Sequence, residues 1–200
     1  MAVINFFDKY NNGSVFEISL YNNYGFGYVK LYKVDSEVQR KKITHILLHP
    51  INFFSKERLK EINIITQVSE IFTPIILMGN PKMRGHNSWK YIGQIRNLDN
   101  EGIIPDFKVT YNITDLTKGD FKKLEWYRIK NLSSNTSIKE EYENIKHLGF
   151  YVYMNYLLIN YKMSIMWMQK NGDNIHDFFT PEDFNNVLGL NTVYQLCMIE

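Results

Sequence analysis

Residues 15–34 read Val-Phe-Glu-Ile-Ser-Leu-Tyr-Asn-Asn-Tyr-Gly-Phe-Gly-Tyr-Val-Lys-Leu-Tyr-Lys-Val. Phe16, Ile18 and Leu20 alternate with Glu17 and Ser19, and a second alternating run goes from Phe26 to Val34. Period-two patterning of this kind puts every other side chain on one face of a strand, so the stretch predicts a β-hairpin. Its turn, Asn22-Asn23-Tyr24-Gly25, has the residue types that tolerate positive φ, which a tight connection between twisted strands requires.

Downstream, Ile43–Leu48 reads as a third strand stopped by Pro50. Leu59, Ile62, Ile65, Val68, Ile71 and Phe72 recur every three or four residues behind a capping Ser55, which predicts an amphipathic helix; their β-branching keeps a strand as the rival. Ile75–Met78, Trp89–Ile95, Ile104–Val109 and Trp126–Leu132 are further strand candidates, so most of the sheet is used by about residue 132. Ile138–His147 reads as a helix with early acids, placed where the helix dipole favours them. Gly149 separates it from a long helix running to about Gln169, and Thr180-Pro181-Glu182-Asp183 starts one terminal helix, with Phe184, Val187, Leu188 and Val193 packing inward, through a hydroxyl cap and a first-turn proline. The expectation is one α+β domain over residues 1–200: mostly antiparallel sheet in the first two thirds, packed by helices from the middle and the C-terminal third.

Composition narrows the function classes. The chain has 200 residues, a net charge of +2 and an aromatic share of 15 %, with 14 Tyr and 13 Phe. Near-neutral charge gives no general attraction to nucleic acid or anionic lipid. Rings in excess of what a core holds tend to line interfaces, although an AT-rich coding bias also accounts for Phe, Tyr, Ile, Lys and Asn with Ala2 as the sole alanine. The lone Cys197 permits no internal disulfide and fits a reducing compartment, and residues 1–14 lack a secretory pattern, so a cytoplasmic location is expected.

Catalytic patterns are missing. His45 and His49 are four apart, without the glutamate of a zinc-protease helix and with Pro50 directly after, and His86, His147 and His176 stand alone. Asp99, Glu101 and Asp106 lie close together but share their stretch with Gly102 and Pro105, which reads as a solvated turn. Gly25-Phe26-Gly27 leads into a strand and makes no phosphate loop. Residues 150–168 are strongly apolar, yet Asn155, Asn160, Lys162 and Ser164 interrupt them, which predicts a buried core helix and no membrane span. No enzyme activity, cofactor or metal is expected.

Two patches compete as a partner surface. Phe26, Tyr28, Lys30 and Tyr32 share a strand face, the aromatic-and-lysine pattern that single-stranded nucleic-acid binders use for stacking; the plainer reading is the half-covered face of a sheet with helices against it. Glu140, Glu141 and Glu143 mark the acidic helix start, suited to a cationic partner. Of the two, the tyrosines are favoured, because rings bury area at low entropy cost.

Gly13-Ser-Val-Phe-Glu-Ile-Ser-Leu20 and Tyr24-Gly-Phe-Gly-Tyr-Val-Lys30, followed in order by Ile71-Phe-Thr-Pro74, Trp89-Lys-Tyr-Ile-Gly93 and Ile104-Pro-Asp-Phe107, resemble immunity protein family 26 of bacterial polymorphic toxin systems. The matches fall within residues 13–109, and the chain after about residue 135 has no counterpart landmark. The resemblance implies an α+β fold and a cytoplasmic protein that neutralises a cognate toxin by binding it. Gly13, Trp89, Gly93, Pro105 and Phe107 are its landmarks, expected to serve the fold and not the contact. The alternative function is a single-stranded nucleic-acid-binding module built on the Tyr28 face.

Overall fold

The computed structural model describes residues 6–38, 41–60, 73–85, 88–95, 104–112, 115–116, 124–132, 136–186 and 189–198. The expected hairpin is its centre. Strands β1 (Ser14–Ser19) and β2 (Phe26–Val38) pair antiparallel from Ser14↔Leu31 to Ser19↔Phe26, around a turn in which Asn22 and Asn23 take φ of 52° and 55°. β2 in turn pairs along its length with β3 (Lys41–Ser55). Pro50 does not stop that strand. The next strand, β4 (Ile75–Leu77), reaches only Ile46–Leu48, so Pro50 lies where β3 has no second neighbour among the described residues to demand its missing N–H.

The order β10-β4-β3-β2-β1-β5 completes a six-stranded sheet with β5 (Trp89–Gln94) at one edge and β10 (Tyr153–Met154) at the other. A second sheet, β8-β7-β6-β9, is built from β6 (Phe107–Val109), β7 (Trp126–Ile129), β8 (Ser137–Glu140) and β9 (Gly149–Phe150). The fold is α+β as expected, but both sheets are mixed, because β10 and β9 pair parallel with β4 and β6.

The sheets also outlast residue 132. The segment from Ile138 starts as strand β8 and becomes helical only over α1 (Tyr142–Ile145), so Glu140 lies on a strand and Glu141 at the helix N-cap. Residues 149–154 form two short strands before the long helix α2 (Tyr156–Asn171), which starts at the cap Asn155, whose side chain accepts from the Leu157 and Leu158 amides. Of the helix expected over 55–72, residues 61–72 lie outside the described residues, as do Asp99, Glu101, Val187 and Leu188.

Helix α2 is buried over Ile159–Met168. No helix among the described residues is long and apolar enough to cross a membrane. Two of the polar residues that interrupt its sequence, Asn160 and Ser164, attach it to β1, the turn after β1 and β5. Asn160 Oδ1 accepts from the Trp89 indole at 2.6 Å while its amide donates to the Ser19 carbonyl, and Ser164 Oγ accepts from the Tyr21 amide at 2.8 Å. Gly27 lets the helix approach: a Cβ there would meet Met163 Cε at 2.9 Å. Helices α3 (Pro181–Asn186) and α4 (Leu190–Met198) follow, and Val193, Leu196 and Cys197 of α4 join the same core. The Thr180 hydroxyl caps α3 as the sequence predicts, and Asp183 returns the bond by accepting from the Thr180 amide.

Of the landmark residues, Gly13, Trp89 and Phe107 are buried, and Gly93 and Pro105 are half-buried. Trp89 is 1 % exposed and Phe107 wholly buried; Gly93 pairs with Val15 beside a bulge, and Pro105 precedes β6. Gly13 has φ +81°, and a Cβ there would lie 2.2 Å from the Ile95 carbonyl oxygen.

Candidate partner-binding cleft

Alternation on β2 sends Val29 and Leu31 toward α2 and Phe26, Tyr28, Lys30 and Tyr32 to the opposite face. That face is closed, which overturns the preference for it. Tyr32 packs with Phe107, Ile129 and Leu132 of the second sheet and its flank, and Tyr28 with Val15, Ile51, Phe53 and Leu59. Tyr28, Lys30 and Tyr32 are each at most 5 % exposed. A second sheet, and not helices alone, supplies the cover. Glu17 also lies here, wholly buried, accepting from Arg58 at 2.9 Å, the Leu59 amide at 3.0 Å and the Tyr28 hydroxyl at 3.2 Å. Burial, and next the Glu17 charge against a hydrogen bond with Ser55, push the Tyr28 hydroxyl above its usual range.

His45 has both ring nitrogens in hydrogen bonds, Nε2 with Ser36 Oγ at 2.6 Å and Nδ1 with the Tyr153 hydroxyl at 2.8 Å. Burial holds its pKa below the ordinary 6.5, against the Asp35 charge. A serine beside a histidine suggests a nucleophile pair, but Ser36 and His45 are 7 % and 4 % exposed. Neither of the two hollows described below is lined by them. The chain Ser36–His45–Tyr153 joins β2, β3 and β10 structurally. Among the described residues, no group of His, Cys, Asp and Glu is arranged to hold a metal ion.

The acidic patch stands in the open. β7 begins where β8 ends, with Trp126 opposite Glu140, and α1 starts directly afterwards. Leu124, Glu125, Trp126, Lys139, Glu140, Glu141, Tyr142 and Glu143 line a cleft of about 540 Å³ at this junction. Its floor is apolar: Trp126 is buried, with ring centroids 4.9 Å from Tyr142 and 5.9 Å from Phe150. Beneath it the wholly buried Lys108 sets its ammonium 4.7 Å from the Phe150 ring and donates to the Lys146 carbonyl, closing the end of α1.

The rim is ionic. Lys139 pairs with Glu125, Arg128 with Glu140 at 2.9 Å, and Lys146 with Glu143 at 2.7 Å. The hydrogen bond from Lys139, then its charge, holds the Glu125 carboxyl below the usual range, and Glu125 in turn raises the Lys139 ammonium. Glu141 makes no ion pair within 4 Å among the described residues, although its charge adds to the rise of the Lys139 ammonium. Glu125 is shared with a second hollow of about 440 Å³ lined by Thr110, Tyr111, Asn112 and Tyr127. Tyr111 is 64 % exposed, 5.1 Å from the Tyr127 ring. Sequence reasoning finds Glu140, Glu141 and Glu143 but misses Glu125, Tyr111 and Trp126, because only strand pairing brings them to one place. Compared with protein-family models, curated proteins and solved structures, the chain matches none of them.

Proposed function

We propose that this chain is a cytoplasmic immunity protein that neutralises a cognate bacterial toxin by occluding it, and that it acts by binding and not by catalysis. The family landmarks described above motivate the class. The observation that carries the surface is the cleft at the junction of β7, β8 and α1, where an apolar floor is ringed by four carboxylates, three of them paired with Lys139, Arg128 and Lys146 and the fourth, Glu141, in excess. Carboxylates steer a cationic partner and cover its basic groups, while Trp126, Tyr142 and the exposed Tyr111 offer ring area for hot spots. An interface on the order of 1,200 to 2,000 Å² reaches from this cleft across the neighbouring hollow.

The rival reading, a single-stranded nucleic-acid module, rests on the Tyr28 face, which is buried and open to no base. The test is co-expression with the toxin encoded beside the gene. The wild-type chain should preserve growth and the Glu141→Lys/Glu143→Lys variant should not. Death of cells carrying the wild-type chain overturns the proposal.

A further inference from the structure

Both sheets end in edge strands, and the edges are unequal. β9 and β10 are two residues each, and β5 pairs with β1 through a register break at Val15/Phe16. β8 is regular: Trp126↔Glu140 to Ile129↔Ser137 without a bulge, with extended backbone continuing into Glu141 at φ −68° and ψ 141°. Among the described residues its backbone bonds only to β7, and in an antiparallel strand alternate residues turn their N–H and C=O away from the neighbour.

Such edges are ordinarily guarded by charge, proline or a bulge. Of the charges on β8, Glu140 is half-buried against Arg128 and Lys139 is engaged by Glu125 in an exposed pair, so neither is unpaired, while Ser137, Ile138 and Lys139 are exposed, Ile138 by 44 %. A chain laid along β8 and past its Glu140 end runs by Glu141 and Glu143 at the cleft rim.

We propose that β8 is a docking edge, to which an extended segment of a protein partner bearing lysine or arginine adds as a fifth strand and sets its cations over the cleft. Main-chain hydrogen bonds supply the register, and the carboxylates select the side chains. This rests on the reading that the cleft is the partner's contact, and goes beyond it in naming how the partner is held.

The test is hydrogen exchange of the full chain with a short alternating lysine–valine peptide, blocked at both ends, as probe. Outward-facing amides within Ser137–Glu140 should slow about tenfold at saturating peptide. The slowing should be lost with the same peptide N-methylated on alternate residues, with a glutamate–valine peptide, and in the exposed-site variant Ile138→Lys. Unchanged exchange on β8, or equal slowing by the N-methylated peptide, overturns the proposal. The two readings separate: toxin neutralised in cells with β8 unprotected defeats strand addition alone, and protection of β8 without neutralisation defeats the immunity reading alone.

Discussion

Two stretches of this chain mix rings with charges, Glu17 to Tyr32 on the large sheet and Glu125 to Glu143 on the small one, and they meet opposite fates. The large sheet is covered on both faces, by α2 on one side and by the second sheet and the residues after β3 on the other. Its polar groups must therefore find partners inside the protein, and Glu17 accepts from three. The small sheet ends in open solvent, where Glu125, Glu140 and Glu143 each pair with a cation at little cost or gain, and Glu141 faces water. Charge inside a sandwich must be satisfied for the chain to fold; at its rim the same charge, even when paired, stays in contact with water.

Four substitutions and titrations break or sharpen that contrast. The largest effect is expected at Trp89, whose ring is buried and whose indole bonds Asn160. Trp89→Ala should cost about 3 to 5 kcal/mol in a denaturant titration. An unchanged midpoint would mean the β5 edge is not part of the core.

Next is Glu17→Ala. Arg58 is 45 % exposed and can return to water and the Tyr28 hydroxyl keeps its bond to Ser55 at 2.7 Å, so the loss comes from the Leu59 amide left unpaired, about 1 to 3 kcal/mol in the same titration. A loss no greater than that of a rim carboxylate would erase the distinction between the two regions.

Third, Glu141→Lys with Glu143→Lys should leave the unfolding free energy within about 0.5 kcal/mol of wild type while abolishing toxin protection. A large stability loss here would show the rim to be structural after all.

The smallest effect concerns Asp183 at the cap of α3. The Thr180 amide holds its carboxyl below the ordinary 3.8, against a smaller opposing effect of burial, with help from the Thr180 and Tyr21 hydroxyls. A depressed carboxyl stabilises the fold above its unfolded pKa and stops doing so as pH falls through the folded one. The stability gap between wild type and Asp183→Asn should thus be full above pH 3.8 and narrow below it. A gap independent of pH would show that the cap acts through shape alone.

Local patterning made the hairpin, the buried helix and the Thr180 cap legible, because each depends on residues within a few positions of one another; the one terminal helix it predicts is two, Pro181–Asn186 and Leu190–Met198, with Gly189 at φ 83° before the second. It failed where long-range pairing decides. Ile138–His147 carries a helix-like acid distribution, yet Trp126–Ile129 captures Ser137–Glu140 as a strand, and Gly149 and Tyr153 enter strands by pairing with β6 and β4. Pro50 reads as a stop but sits in β3 beyond the end of β4.

The amino-acid sequence by itself determined the α+β class, the internal role of Trp89 and Phe107, and the position of the acidic residues along the chain. It could not determine which aromatic face stays open, because Phe26-to-Tyr32 alternates in the same way whether water or a second sheet lies over it. Only the tertiary structure decided that, by laying Phe107, Ile129 and Leu132 over Tyr32 and by bringing Glu125 on β7's approach to Glu140 and Glu141 at the end of β8. Burial is a property of pairs of elements far apart in the chain, and no periodicity within one element encodes it.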